Sequence, residues 1–168
     1  ALTHYPQIKD IASSMGHKLA EEMFCQLMNK LNHTLAGLSG VICLEKQQRA
    51  YIAIPEFGSA AFLIDLTQLD GPPETAIAQV VGNHEISVHA VRLPVFMNLH
   101  CGVAIAPEHG ESAEILYQHA SAARERSESS RIPVLVYDNE ISDFARRRLD
   151  LVTALPLAIE AGELGDVA

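Results

Sequence analysis

The chain has 168 residues, which is the usual length of one globular domain. Hydrophobic residues make up 48% of it and charged residues 20%, an ordinary balance that excludes a disordered or fibrous protein. Its 12 Lys and Arg against 21 Asp and Glu give a net charge of −9, which repels DNA and RNA, so we expect no nucleic-acid partner.

The first half of the chain predicts a helix followed by a hairpin. Over residues 16–32 the apolar side chains recur at steps of three and four, which is the pattern of an amphipathic helix. Two strand-like runs follow, at 49–54 and 60–66. Because Pro55 and Gly58 lie between these runs, we expect them to form a β-hairpin.

The second half predicts helices that alternate with strands. Pro72-Pro73-Glu74 favours the start of a helix, since proline fits a first turn and an acid is favoured there. The further predictions are inward-facing residues Ile77, Val80 and Val81, a helix end at Gly82-Asn83, a buried strand at 95–106, a helix at 112–126, a buried strand at 132–137 and a helix from Asp138 to Pro156. Strands and helices interleaved in this way indicate one α/β domain.

Four stretches, taken in order, resemble segments of the GGDEF family of diguanylate cyclases. Residues 8–21 are similar to the family's F-K-x-I-N-D-x-x-G-H-x-x-G-D, and 57–62 (Phe-Gly-Ser-Ala-Ala-Phe) occupy the place of the signature. Residues 101–110 are similar to its S-I-G-V-A strand and P-x-x-G turn, and 134–138 to its last strand. Together the four stretches span nearly the whole chain.

The resemblance implies a nucleotidyl-cyclase-like α/β fold, an α+β sandwich in which helices flank a central, mainly antiparallel sheet. It assigns residues 1–138 to a degenerate GGDEF domain whose first strand is partly truncated. Residues 139–168 are similar to the C-terminal helix and linker that lead toward an EAL phosphodiesterase domain, which this chain lacks.

The family's reaction depends on metal ions held by carboxylates, which polarise a phosphate and lower the barrier to deprotonating a hydroxyl. The resemblance places these metal positions at His4 on the first strand and at Ala60 and Ala61 in the signature. An imidazole is a poor ligand for Mg²⁺ and alanine offers no ligand. We therefore expect no catalytic residue, no metal and no cofactor. Gly58 keeps the signature turn possible, whereas Ser59 replaces its second glycine.

The resemblance also implies that the nucleotide-binding positions have changed. The guanine-contacting asparagine of the family corresponds to Ala12, and its companion acid corresponds to Glu21. The phosphate-binding lysine corresponds to Ser127 or Glu128. The inhibitory R-x-x-D motif begins at Arg49 and has lost its acid, so we expect this inhibitory site to be vestigial as well.

We hypothesise from these substitutions a catalytically inactive regulatory or interaction module in cyclic di-GMP signalling. Its expected partners are an attached EAL domain and a second copy of the chain. Two alternatives remain open. One is a sensor that binds GTP weakly with Mg²⁺, retains Glu21 for guanine and regulates the EAL domain. The other is an active cyclase that uses displaced acids such as Glu56 or Asp65.

Other patterns indicate no separate site. His84-Glu85 with His89 resembles the zinc motif H-E-x-x-H, but the second histidine comes one residue late and would point away from the first on a helix. His100 is predicted to be a hydrogen-bonded histidine in the core. The segment 124–126 (Arg-Glu-Arg) is predicted to be a solvated helix face.

The cysteines and the apolar runs bear on location. Cys25, Cys43 and Cys101 lie far apart and favour a reducing compartment, which we expect to be the cytoplasm. No apolar run reaches the ~20 residues of a membrane span, so we expect no membrane contact by this fragment. The chain begins with Ala1 rather than Met, which favours an excised piece with any membrane anchor upstream.

Overall fold

The computed structural model describes residues 1–69, 71–78, 83–87, 94–138 and 141. Its contacts divide the chain into two compact units, Ala1–Tyr137 and Asp138–Ala168. In the second unit, the backbone N–H of Ile141 donates to Oδ1 of Asp138 at 2.9 Å. The rest of the helix predicted from Asp138 lies outside the described residues, as do Val80, Val81, Gly82 and His89.

The first unit contains four α-helices and six strands within the described residues. In chain order these are β1 (Leu2–His4), α1 (Gln7–Met15), α2 (His17–Ala36), β2 (Ser59–Ala61), α3 (Pro73–Ala78), β3 (Asn83–Ser87), β4 (Pro94–Asn98), β5 (His100–Val103), α4 (Ala113–Ser130) and β6 (Val134–Val136). A single 3₁₀ turn, Leu66–Gln68, follows β2. No helix in this described part is both long and apolar enough to cross a bilayer.

The main sheet has the strand order β2-β1-β5-β6. Strand β1 pairs antiparallel with β2 and β5, whereas β5 and β6 run parallel. At the centre of this ladder Thr3 lies between Ala60 and Cys101. These pairings confirm the expected mixed α/β fold with a central, mainly antiparallel sheet.

Helix α2 provides one side of the core. Its apolar stripe is buried as the three- and four-residue spacing predicts, with Ala20, Met23, Phe24, Leu27, Met28, Leu31 and Leu35 all inaccessible or nearly so. The helix extends to Ala36, four residues beyond the predicted end. At its start, Gly16 adopts a φ of +97°, which ends α1 and lets the chain turn into α2.

The predicted hairpin forms only in part. Ala53 and Ala61 exchange two backbone hydrogen bonds of 2.8 Å, so the connection exists, but no strand extends over 49–54. The residues before Ala53 bond elsewhere: Glu45 and Ala50 pair with each other in a tight turn. The N–H of Tyr51 donates to Oδ1 of Asn32 on α2 at 2.7 Å. A longer strand was therefore the wrong prediction, because local turns and a helix side chain take up these backbone groups.

The predicted strand at 95–106 is two strands in two different sheets. β4 pairs antiparallel with β3, and β5 joins the main sheet, with Leu99 between them. A continuous apolar run does not show where a chain changes its pairing partner, so periodicity missed this break. His84 and Glu85 lie on β3, so the helix assumed for the zinc-like motif is absent there.

Helix α4 and strand β6 form where the sequence predicts them, with α4 longer by four residues. The Oγ of Ser112 accepts from the N–H of Ile115 at 3.2 Å and caps the start of α4. The helix crosses β5 directly over Gly102, where an added Cβ would collide with the backbone carbonyl of Ala120 and the backbone nitrogen of Arg124. Gly102 therefore permits the close packing that brings the end of α4 beside β1.

Candidate functional site

The fold brings five of the predicted site positions together: His4 on β1, Gly58 just before β2, and Ser59, Ala60 and Ala61 on β2. His4 at the end of β1 pairs with Ser59 on β2, and Thr3 pairs with Ala60. Gly58 precedes β2 with a φ of +93°, and its carbonyl accepts a hydrogen bond of 2.9 Å from the N–H of Tyr5. The signature-like turn therefore lies directly beside the end of β1. We call this end of the β1–β2 pair the strand edge.

His4 is buried at this edge and its ring lies against Gly58. Its side chain is 7% exposed, and a Cβ added to Gly58 would approach Nε2 of His4 at 3.4 Å. That nitrogen has no hydrogen-bond partner among the described residues. A Cβ at position 58 would therefore make an ordinary van der Waals contact with the His4 ring, and the glycine is favoured by its positive φ.

The partner of His4 is Glu128 on α4. Nδ1 of His4 lies 2.7 Å from Oε1 of Glu128, within hydrogen-bond distance, and Arg124 one turn earlier lies 3.6 Å from the same oxygen. Burial disfavours the charged carboxylate, but the hydrogen bond from His4 and the electrostatic attraction of His4, Arg124 and His100 outweigh it. The pKa of Glu128 is therefore held below its ordinary value.

Sequence reasoning missed this pair. The resemblance implies for Glu128 only the place of a phosphate-binding lysine, which it shares with Ser127, and nothing in a separation of 124 residues indicates contact with His4. The prediction of a solvated face at 124–126 is also wrong for Arg124, whose side chain is only 11% exposed. Both residues face the strand edge because α4 crosses so closely at Gly102.

The two signature alanines carry no polar side-chain atom to this edge. Ala60 is fully buried, and its carbonyl accepts a hydrogen bond of 2.9 Å from Oγ1 of Thr3. The neighbouring acid is Glu56, whose Oε1 accepts from Oγ of Ser59 at 3.1 Å. Across the part of the chain that the structure describes, no group of three or more His, Cys, Asp or Glu residues is placed to hold a metal ion.

An open cavity of about 420 Å³ adjoins the His4–Glu128 pair. Its polar lining comes from Gln7, Asn98, His100, Glu128 and Arg131. Within this lining, Nδ1 of His100 lies 3.3 Å from Oγ of Ser127, so this histidine is hydrogen-bonded as predicted but half-buried rather than in the core. The cavity combines one carboxylate with one guanidinium, so it has no strong charge of either sign.

The remaining predicted positions lie on other elements. Ala12 is buried on α1, and Glu21 is exposed on α2, the helix that packs against α1. Arg49 has a φ of +51° and its carbonyl accepts from Nδ2 of Asn32 at 3.2 Å. It lines a separate, polar depression of about 520 Å³ that also includes Gln48. The structure therefore does not bring Arg49 together with His4.

Solved structures share this arrangement of elements. An EAL/GGDEF domain protein from M. capsulatus superposes with a TM-score of 0.59 at 15% identity, over 82% of each chain. A GGDEF-only form of YfiN (TpbB) from Pseudomonas aeruginosa gives a TM-score of 0.62 at 14% identity, over 86% of this chain and 79% of that one. A second structure of the YfiN GGDEF domain gives 0.59 at 14% identity, over 82% and 80%.

No family model and no curated protein matches the sequence. The similarity to known proteins is therefore a similarity of fold. At 14–15% sequence identity, the side chains at the site can differ from those of the neighbours. On that basis the chain has a GGDEF-like fold.

Proposed function

We propose that this GGDEF-like domain is a catalytically silent regulatory or interaction module in cyclic di-GMP signalling. One observation carries the proposal: the buried ring of His4 on β1 is hydrogen-bonded to Glu128 at 2.7 Å, where the resemblance places a metal-binding carboxylate. The carboxylate oxygen of Glu128 that lies at this edge is therefore engaged by a histidine.

Magnesium ions bind oxygen ligands and tolerate few substitutes. At the strand edge, His4 offers only an imidazole, and Ala60 offers only a methyl group. Without a metal at this edge, the negative charge that develops when one nucleotide attacks another has no counter-ion. These considerations support a silent domain more than an active cyclase.

The proposed setting is a longer, two-domain protein. A solved structure with this fold belongs to an EAL/GGDEF domain protein, which supports an EAL domain as the attached partner. In this proposal residues 1–138 form the GGDEF-like domain and 139–168 lead toward the EAL domain. The proposal also puts the domain in the cytoplasm, with any membrane anchor upstream in the longer protein. A second copy of the chain is a further candidate partner.

The first experiment compares the chain with a variant that restores the acids. The variant carries His4→Asp, Ser59→Gly, Ala60→Glu and Ala61→Glu. Each protein is incubated with GTP and Mg²⁺, and cyclic di-GMP is sought by chromatography. We expect no product from the original chain. Measurable product from the original chain would contradict the proposal.

The restored variant also shows whether the acids are the missing element. If they are, isothermal titration calorimetry detects Mg²⁺-dependent nucleotide binding in the restored variant beyond that of the original chain. A control with Ala61→Glu alone adds one acid on β2 while leaving the metal position at His4 unchanged, so we expect it to behave like the original chain. Equal binding by all three proteins would show that the missing acids are not what limits nucleotide binding.

A GTP sensor is the second candidate, favoured by the exposed carboxylate of Glu21 beside α1. Calorimetry with GTP and Mg²⁺ separates it from the silent module, because only a sensor gives heat at millimolar nucleotide. If heat is seen, Glu21→Gln should weaken binding, whereas Glu22→Gln, one residue along the same helix, should not.

Of the two displaced acids, Glu56 supports the active-cyclase alternative better than Asp65 does. Glu56 lies next to Ser59 in the signature-like turn. Asp65 lies five residues beyond Ala60, roughly 16 Å along an extended chain, and its carboxylate accepts from Thr67 and Gln68. If the original chain did make cyclic di-GMP, loss of product in Glu56→Gln with retention in Asp65→Asn would identify Glu56 as the acid used.

A further inference from the structure

Two histidines and a tyrosine form a cluster that includes none of the predicted site positions. His109 lies in the turn 105–110 after β5, His119 lies on α4, and Tyr137 directly follows β6. The rings of His119 and Tyr137 are stacked, with their centroids 4.0 Å apart and their planes 7° from parallel. The ring of His109 meets Tyr137 edge-on, with a centroid distance of 5.4 Å. The Tyr137 ring is thus in contact with both histidines.

The imidazole of His109 closes the turn. Its Nδ1 accepts a hydrogen bond of 3.0 Å from the backbone N–H of Ile105. The backbone N–H of His109 donates in return to the carbonyl of Ile105 at 2.7 Å. The side chain of His109 is only 12% exposed. The two residues are therefore joined twice, once through the backbone and once through a nearly buried imidazole.

Backbone partners fix where each histidine carries its proton. A backbone N–H can only donate, so Nδ1 of His109 is unprotonated, and the neutral ring has its proton on Nε2. A carbonyl can only accept, so Nδ1 of His119, which lies 2.6 Å from the carbonyl of His109, carries a proton. When both rings are neutral, the two histidines are therefore opposite tautomers.

Protonation affects the two histidines differently. A proton added to His109 must go to Nδ1, where it would meet the N–H of Ile105, so the charged ring cannot keep that hydrogen bond. A proton added to His119 goes to Nε2 and leaves its bond to the carbonyl of His109 intact. An open turn can therefore bind a proton that the closed turn cannot, and acid favours the open turn.

The ionisable groups packed against His109 come from three elements. In the same turn, Oε1 of Glu108 lies 3.9 Å from Nε2 of His109 and favours a positive ring, but weakly, because Glu108 is 72% exposed. Helix α4 contributes His119, whose own positive charge would oppose one on His109, and the end of β6 contributes Tyr137. These groups influence how readily the ring becomes positive, whereas the Ile105 bond decides what a positive ring does to the turn.

We infer that the turn 105–110 is a pH-sensitive latch, which a neutral His109 closes and a protonated His109 opens. Histidine changes its charge between about pH 5 and pH 8, so the latch responds near physiological pH. Opening also removes the edge contact of His109 with Tyr137, the last residue of the first unit. The end of β6 therefore loosens together with the turn. No residue of the latch belongs to the strand edge, so this inference is independent of the proposed function.

Amide hydrogen exchange, measured by NMR on the whole chain, tests the latch. A histidine free of such contacts titrates near about pH 6.5, so at about pH 5.5 it is protonated roughly ten to one. With intrinsic exchange rates corrected for pH, we expect the protection of the Ile105 amide to fall about tenfold between about pH 7.5 and pH 5.5. The amide of Cys101, which donates to the carbonyl of Pro133 at 2.9 Å, is the internal reference and should keep its protection.

Two variants separate the titration of His109 from the rest of the cluster. His109→Asn retains an acceptor, Oδ1, near the position of Nδ1 but cannot be protonated. We expect its Ile105 amide to be equally protected at both pH values. His119→Asn is the matched control, because its Nδ2 can still donate to the carbonyl of His109. This control should keep the tenfold loss of protection.

The imidazole nitrogens of the unmodified chain give a second readout, which decides the matter even if His109→Asn does not fold. Long-range ¹H–¹⁵N spectra at about pH 7.5 should show the His109 proton on Nε2. A proton on Nδ1 instead would overturn the inference, as would Ile105 protection that does not change with pH. An equal loss at Cys101 would also overturn it, because the whole domain would then be unfolding. So would an unchanged pH response in a folded His109→Asn.

Discussion

At the residue scale, Glu128 links α4 to the first strand. Its carboxylate contacts His4 at 2.7 Å and Arg124 at 3.6 Å, and these groups, with His100, keep its pKa below the ordinary value. A carboxyl group whose pKa is lowered by folding stabilises the folded state above its ordinary pKa. That contribution is lost as the pH falls through the lowered value.

We expect Glu128→Gln to reduce the free energy of unfolding at neutral pH by about 1 kcal/mol, a modest effect because the group is partly exposed to solvent. Urea unfolding between about pH 3 and pH 7 measures it. The difference from the original chain should shrink toward the acid end. Glu125→Gln is the matched control, since Glu125 is 59% exposed and 3.9 Å from Arg124. A difference that stayed constant with pH would exclude the ionic contribution.

Gly102 is the residue that allows α4 to approach the sheet. Its absent side chain leaves room for the backbone of Ala120 and Arg124. We expect Gly102→Ala to cost about 3 kcal/mol or more, because backbone atoms cannot move aside as a side chain can. Gly37→Ala serves as the control, because its Cβ would lie 3.6 Å from the carbonyl of Thr34, an ordinary contact. Similar melting temperatures for the two variants would refute the close crossing.

At the scale of elements, the start of α4 is set by one side chain. Oγ of Ser112 accepts from the N–H of Ile115 and satisfies a backbone donor that the helix itself leaves free. The helix then carries Arg124 and Glu128 to the edge of β1, so the cap also supports the candidate site.

Replacing the cap, Ser112→Ala, should cost about 1 kcal/mol in the free energy of unfolding. Chemical denaturation measures it, and Ser129→Ala near the other end of α4 is the matched control. Ser129 is exposed and donates only to the carbonyl of Arg126, so its loss should change stability little. Equal effects from both serines would show that the cap contributes nothing specific.

At the scale of the whole molecule, two cysteines differ in their exposure to solvent. Cys101 on β5 is fully buried, and this burial raises the pKa of its thiol to about 12. Cys25 on α2 is exposed. Since the thiolate is the reactive form, the two residues should differ sharply toward alkylating agents.

We expect iodoacetamide at about pH 8 to label Cys25 readily in the folded protein, and Cys101 only as the molecule unfolds. Mass spectrometry of digests taken across a urea series measures both. Labelling of Cys101 should follow the unfolding transition seen by circular dichroism. Rapid labelling of Cys101 in the absence of urea would mean that the centre of the sheet opens locally.

The sequence by itself determined the helices α2 and α4 and the presence of a strand at β6. These depend on short-range signals, namely an apolar stripe at helical spacing in α2 and the polar residue Ser112 before α4. It also indicated the fold, because the order of several motif-like stretches survives where single residues have changed.

Only the tertiary structure decided the division of 95–106 into β4 and β5, the reduction of 49–54 to isolated pairings, and the contact of His4 with Glu128. The physical reason is the same in each case. Strand pairing and side-chain contacts join groups that are far apart along the chain. They are selected by how the whole chain packs, and no local pattern encodes that choice.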